Sequence, residues 1–507
     1  MKDDIANLLG HLEEHLRATQ KAGLTFVDPR HLRRSLASKQ NHAIFGRRGA
    51  GKSTFVKSLL GTEATREHLA IYVNLEDYKD ISFPNIILHV LRASFREVAA
   101  SIKRSAFLWW FTAEKRRAVS VLGNTISELT TALAAPDKQD QTVRTRTATE
   151  DSASAGLKIE GASTGLSAKV AREEEVSRTD KMDKLNQLRL NIEGYKEIIE
   201  LVSRALGERP LFLILDDFYF VPKSVQPEFI DFFHRLTKGT DLFLKIATIK
   251  HRSKLYKQGD ETYIGMELAA DVYEIDMDYT LDKFDDLKDF MRQLLGVAIK
   301  DSGACLNVDD LFAGDGFGQL CLASGGVPRD FLSLFVRVAR KVLRNPQDRI
   351  GKVEVNEEAI AALGNKMDSL KTDSADERET LEAYLACIRE FVYGQKRTNV
   401  FLVLKPDLET NAQERQALRE LVDLRLIHLV DSNTSAAPSD GRRYEAYLLD
   451  VGLYENSRPR NFTQLEPGTR DARARRDELR AAPRLDLGVV RATVDAAGPV
   501  QPLAITD

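Results

Sequence analysis

Residues 46–53 read Gly46-Arg47-Arg48-Gly49-Ala50-Gly51-Lys52-Ser53, a complete GxxxxGKS. The chemistry of that spacing is phosphate chemistry. Glycines let successive backbone N–H groups turn inward on a β-phosphate, the lysine reaches the β/γ oxygens, and the serine hydroxyl suits Mg2+. Thr54 follows directly and belongs with the same loop. The mechanism needs a strand before the loop and a helix after it. His42-Ala43-Ile44-Phe45 is a short apolar strand, and KSTFVKSLL reads as a helix whose positive end faces the phosphates.

LFLILDD (211–217) carries the second set of candidates. Its apolar run places Asp216 at the carboxyl end of a central strand, expected beside the phosphate-loop strand, where an acid holds Mg2+ through water. Asp217 comes next and is placed to polarise an attacking water. An Asp pair that caps the following turn is the competing reading, and the GxxxxGKS upstream weighs against it. Two weaker signals follow. LFLKIATIKHR ends a strand with Thr248, Lys250 and Arg252, which face the γ-phosphate if that strand lies between the other two; a solvated basic loop competes. GGVPRDFLSL (325–334) puts Arg329 at a helix start, from which it can reach back across a cleft so that ATP closes a lid by charge pairing. A solvent-exposed arginine is the alternative there.

The elements that must position these residues alternate. From 42 to about 280, strand and helix succeed one another, the pattern of a parallel sheet covered by helices. LAIYVNL (69–75), LFLIL (211–215), LFLKIATI (242–249) and VYEIDMD (272–278) supply four more strands. The expected organisation is an N-terminal helix over 1–24, then an ATPase core over 25–280 interrupted by an insertion at 105–182. Within that insertion, 135–156 reads as a mobile loop and 157–170 as a hairpin. Helices over 281–345 form a lid. Helix, short strand, helix and two further strands over 355–455 suggest a winged helix-turn-helix, and 456–507 reads as a disordered tail.

The bulk numbers set limits. A chain of 507 residues suggests roughly three units. The net charge of −3 gives no global pull toward nucleic acid. Cys305, Cys321 and Cys387 are scattered without a CxxC pair, which argues against a disulfide framework or a structural zinc and for a reducing, cytoplasmic compartment. No signal peptide opens the sequence. The most apolar run, AFLWWF at 106–111, falls far short of the roughly 20 residues that span a membrane, and Trp109 and Trp110 read as packing aromatics.

The order lead-in segment, P-loop, hhhhDD, polar residues after the next strand, G-x-P-R lid helix and winged helix resembles the AAA+ and STAND ATPases. It is most similar to the archaeal origin-recognition initiator type and to bacterial STAND-like proteins, over roughly residues 25–455. The resemblance implies an α/β P-loop NTPase sheet with a helical lid and a C-terminal winged helix, ATP and Mg2+ as ligands, and a slow, switch-like ATPase of a defence or regulatory system. In that family the lead-in usually reads F-V-G-R-E and lines the adenine pocket. Here it is Phe26-Val27-Asp28-Pro29-Arg30, which carries Val27 and Arg30 over to the nucleotide. Initiators also bring an arginine finger just before the fifth strand. GMELAADVYEID has none, and Arg252 is the only arginine between 241 and 280. Either Arg252 does that work or the protein hydrolyses slowly and acts as a switch, and slow turnover is the expectation. The partner is then a protein or another copy of the chain.

DNA is the other candidate partner. The expected recognition helix, 411–425, sets Arg415, Arg419 and Arg425 against Glu414, Glu420 and Asp423. That balance is neutral, a poor start for phosphate contacts. Lys396, Arg397, Arg442 and Arg443 offer a small basic edge, and Arg470, Arg473, Arg475, Arg476 and Arg480 an Arg-biased tail. A loader using its winged helix on a duplex is therefore the alternative function.

Overall fold

The computed structural model describes residues 2–16, 25–60, 67–105, 112–134, 184–259, 263–345, 347–364, 366–368, 378–455, 459–468 and 477–497. The expected loop at 135–156, the hairpin at 157–170, the AFLWWF run and the arginines 470–476 lie outside them. The chain opens on helix α1 (Lys2–His15), which buries Ile5, Leu8, Leu9 and Leu12 at helical spacing. A short helix α2 (Leu32–Leu36) precedes strand β1 (His42–Phe45), and α3 (Lys52–Lys57) starts immediately after the GxxxxGKS turn.

Strand β2 (Leu69–Asn74) leads to α4 (Asn85–Ser105) and α5 (Ala113–Ala134). Ala118, Leu122 and Leu129 of α5 pack into the same core as α4, so this part of the segment from 105 to 182 belongs to the layer that covers the sheet. After α6 (Ile192–Ala205) come β3 (Leu211–Asp216), α7 (Gln226–Thr237) and β4 (Leu242–Thr248). A small hairpin not foreseen from the sequence, β5 (Tyr256–Gln258) with β6 (Tyr263–Gly265), precedes β7 (Tyr273–Asp276).

Five parallel strands stand in the order β2-β3-β4-β1-β7. Strand β4 does lie between β3 and β1, as the basic residues after it required. The same order corrects one expectation: Asp216 is not beside the phosphate-loop strand, because β4 intervenes. Parallel strands buried on both faces read as unbroken apolar runs, and β3 shows how they sort. Leu211, Leu213 and Leu215 face the α4–α7 layer, while Phe212 and Ile214 face α2 and α3. Lys245, in mid-β4, is buried with its ammonium donating to the carbonyls of Ser38 and Gln40, at 2.8 and 2.9 Å, which fixes the approach to β1.

The lid comprises α8 (Phe284–Asp301), α9 (Gly316–Ala323) and α10 (Pro328–Val342), with Pro328 pre-set for the first turn of α10. Helix α11 (Lys352–Ala361) closes this layer, and α1 packs against α8 and α10. The winged helix runs α12 (Arg378–Arg389), β8 (Val400–Leu404), α13 (Lys405–Thr410), α14 (Ala412–Asp423), β9 (Ile427–Thr434) and β10 (Tyr444–Leu449).

The expectation of a disordered tail over 456–507 is overturned for residues 477–497. Residues 477–497 form α15 (Asp477–Arg480), β11 (Arg484–Leu485) and α16 (Leu487–Ala497). Strand β11 adds to β8 in parallel, giving a sheet ordered β11-β8-β10-β9. Leu479, Leu485, Leu487 and Val490 are buried in the lid and winged-helix core. The apolar positions are split over three short elements, so no window long enough to show periodicity exists. Among the described residues no helix is long and apolar enough to cross a membrane.

Candidate functional site

The site is a cleft at the carboxyl end of the parallel sheet, where open α/β folds place their ligands. Its lining brings together Val27, Arg48, Gly49, Ala50, Gly51, Lys52, Ser53, Thr54, Asp217 and Arg329, all foreseen from the sequence. Gly49 and Gly51 adopt φ of +92° and +90°, a left-handed backbone that glycine permits without strain. At Gly49 the space matters as well. A Cβ would lie 2.9 Å from Val327 Cγ1 and 3.0 Å from Arg329 Cβ, so only a bare backbone lets the lid close over the loop. The Arg329 N–H donates to the Gly49 carbonyl at 3.2 Å, and its side chain stays exposed at the mouth.

Lys52 is buried, with Nζ donating to the carbonyls of Gly46 at 2.7 Å and Arg47 at 3.1 Å. Burial lowers its pKa, while Asp217, Asp278 and Asp216 act against that shift. The ammonium is held by two weak acceptors, ready to exchange them for phosphate oxygens. Asp216 is fully buried. Its carboxylate accepts from the Tyr72 hydroxyl at 2.7 Å and from the Asp217 N–H at 3.0 Å, which orients it behind the cleft rather than on its wall. Asp217 takes the left-handed conformation, φ 52°, and so turns into the cleft. Burial first, and Asp216 second, push its carboxyl up to about 6. A carboxylate tuned toward neutrality is suited to taking a proton from water.

The donor set fits a magnesium nucleotide. Ser53 faces the cleft, and Asp216 retains lone pairs that can reach a metal through water. Such a metal would neutralise phosphate charge. We expect Asp217→Asn to bind ATP with near wild-type affinity and to lower turnover roughly 100-fold, the usual scale of a positioned base. Unchanged turnover in a phosphate-release assay would remove Asp217 from the chemistry.

Besides Asp216, the foreseen residues Arg30, Gly46, Arg47, Thr248, Lys250 and Arg252 are not on the cleft wall. Arg47 turns away: Nη1 donates to the Gly325 carbonyl at 2.8 Å, Nη2 to Tyr279 O at 3.1 Å, and Nε lies 3.4 Å from Asp278. Its backbone N–H is bonded to Asp278 too. Arg30 donates to the carbonyls of Asp276 and Asp278 and stacks on Tyr279 at 3.7 Å. Both arginines are braces at the end of β7. Lys250 pairs with Glu274, and Arg252 lies over the Tyr219 ring at 5.7 Å, so neither reaches the phosphate loop. Thr248, buried at the end of β4, is bonded to Ser253. The turn after Thr248 carries Lys250 to Glu274 on β7 and Arg252 to the Tyr219 ring instead.

Several cleft residues were not anticipated. Glu76 and Tyr219 stand near Asp217, and His15, Leu16, Phe26, Phe290, Leu294 and Leu332 line the rest. Glu76 and Tyr219 follow β2 and β3, and the others come from α1, the lead-in segment and the lid, so no local motif announces them.

A second cavity separates the core from the winged helix, lined by Arg47, Lys250, Asp276, Asp278, Arg419 and Asp423 together with Phe45, Leu281, Val422 and Leu429. The two bodies are clamped around it. Arg425 Nη1 donates to both carboxylate oxygens of Asp330, at 2.8 and 3.0 Å. Gly325 lies under the His428 ring so tightly that a Cβ would meet it at 2.1 Å. Of the charged residues on α14, Arg419 is bonded to Glu445, Glu414 accepts from Tyr384, and Asp423 is buried with its carboxyl pushed up to about 7 by that burial.

Fold and site together define a P-loop NTPase-type α/β core with a helical lid and a C-terminal winged helix. No protein-family description and no curated protein matches the sequence. Among solved structures the chain is similar to the Aeropyrum pernix ORC1 protein in complex with DNA, at 12% identity over 89% of this chain and 90% of that one, with a TM-score of 0.30. It is also similar to Drosophila ORC bound to DNA, at 11% identity, the same coverage and a TM-score of 0.32.

Proposed function

We propose that the chain binds ATP with Mg2+ in this cleft, hydrolyses it slowly, and uses its occupancy to set how the winged helix sits on the lid. The observation that carries the reading is an adjacency. Arg329 stands in the cleft against Gly49, and the next residue, Asp330, is held by Arg425 of the winged helix. Phosphates drawing on Arg329 therefore act on the residue pair that also anchors the winged helix. Lys52 and Arg329 supply positive charge, Asp217 the base, and Ser53 with Asp216 the metal ligation. Arg252 does not line the cleft, and an active site without an arginine finger can be slower by about 10³–10⁵. The partner of such a switch would be a protein or a second copy, in a defence or regulatory setting in the cytoplasm, in keeping with its free cysteines.

A DNA loader is the second reading. Exposed Lys396, Arg442 and Arg443 favour it, whereas the internal commitments of α14 favour the switch. Steady-state ATP hydrolysis, with and without duplex DNA at two salt concentrations, separates them. Slow turnover indifferent to DNA is expected; strong stimulation that fades with salt would establish the loader. Limited proteolysis completes the test. ATP should change the cleavage pattern of the wild type and not that of Arg329→Ala, and identical patterns with and without ATP in both proteins would end the switch.

A further inference from the structure

We infer that His15 reads the edge of the nucleobase and makes the cleft select adenine over purines that carry a 6-oxo group. This rests on the nucleotide reading of the cleft. The cleft lining combines the phosphate loop with the apolar side chains Phe26, Val27, Phe290, Leu294 and Leu332, and α1 packs against the lid helices that carry the last three. Apolar walls accept any purine ring; the few polar groups among them decide which one. His15 is such a group, on the last turn of α1, half-buried and lining the cleft. It is there because Ile5, Leu8 and Leu12 pin α1 to the lid.

Its tautomer is set locally. His15 Nδ1 lies 2.8 Å from the His11 carbonyl oxygen, which can only accept, so Nδ1 carries the proton. In the neutral ring Nε2 is then an acceptor. The His11 ring stacks on His15 at 4.3 Å between centroids and steadies its plane. Adenine offers an amino donor at position 6, which an acceptor welcomes; guanine and hypoxanthine offer a carbonyl, which it repels. Thr25, also in the described lining, has a hydroxyl that can donate or accept and so does not discriminate.

The test is displacement of a fluorescent ATP analogue from the full chain by ATP, by inosine triphosphate and by ATP dimethylated at N6, all at pH 8. Wild type is expected to favour ATP roughly tenfold over both competitors, the scale of one hydrogen bond gained against one acceptor clash. His15→Phe keeps a ring without the acceptor and is expected to bring the three nucleotides within about twofold, mainly by weakening ATP. Its thermal unfolding should match the wild type, confirming that α1 remains docked. An unchanged preference in His15→Phe, with Lys52→Ala still blocking binding, overturns the role of His15 alone. Absence of nucleotide binding by the wild type overturns the parent reading with it.

Discussion

Lys52→Ala is expected to abolish nucleotide binding, with affinity for ATP falling by at least about 100-fold in an equilibrium binding assay. The size follows from what Nζ is. It is a buried ammonium whose present partners are two neutral carbonyls, at 2.7 and 3.1 Å. Charge-assisted bonds to phosphate oxygens are roughly twice as strong as neutral ones, and removing a charged partner costs about 1.5–3 kcal/mol per bond. Two such bonds account for the predicted loss. Lys52→Met separates charge from packing, because it keeps most of the stem beside the loop while removing the donor. Both variants should fold, since the loop's shape is set by Gly49, Gly51 and the Arg47–Asp278 brace rather than by Lys52. Retained micromolar ATP affinity in either would sink the phosphate assignment.

Asp450→Ala is expected to cost about 3–5 kcal/mol of stability, the usual effect of breaking a buried ion pair. Asp450 is fully buried. Its Oδ2 accepts from Lys366 Nζ at 2.6 Å and His428 Nε2 at 2.8 Å, while Oδ1 accepts from the Gly452 N–H at 3.0 Å. Removing the carboxylate leaves Lys366, only 12% exposed, as an unpaired cation, and frees the His428 ring that packs on Gly325. Burial alone would push the Asp450 carboxyl up; Lys366 and His428 outweigh burial and hold it down at about 2. The sign for stability follows. A carboxyl depressed in the folded state contributes stability that is fully present above its unfolded pKa, about 3.9, and is lost as pH falls from there through about 2. Urea unfolding should therefore show wild type losing stability over that acid window and Asp450→Asn losing less of it. A substitution cost below about 1 kcal/mol would show that the triad does not hold the winged helix in place.

How much of this was legible in the sequence depends on whether a feature is local. GxxxxGKS, LFLILDD and the Pro328-Arg329 helix start are contiguous, and each places its side chains through the turn it lies in. Thus Lys52, Ser53, Asp217 and Arg329 could be read directly, and the structure gathers them in one cleft. The five strands were legible for the same reason: buried parallel strands are short apolar runs. What lay beyond the sequence was set by packing. Strand order put β4 between Asp216 and the phosphate loop, a fact no single strand encodes. Lys250, Arg252, Arg30 and Arg47 went to partners on other elements, because a long cation settles on whichever carboxylate or carbonyl the fold brings near. The apolar part of the cleft lining needed α1, the lead-in and the lid brought together from positions hundreds of residues apart. The tail found its place through single leucines and one added strand, signals too short to show periodicity but sufficient once the winged-helix sheet offers an edge. The sequence by itself determined the phosphate chemistry, since it is written in one turn of backbone; only the tertiary structure decided what surrounds it, since burial and pairing are properties of distant residues meeting.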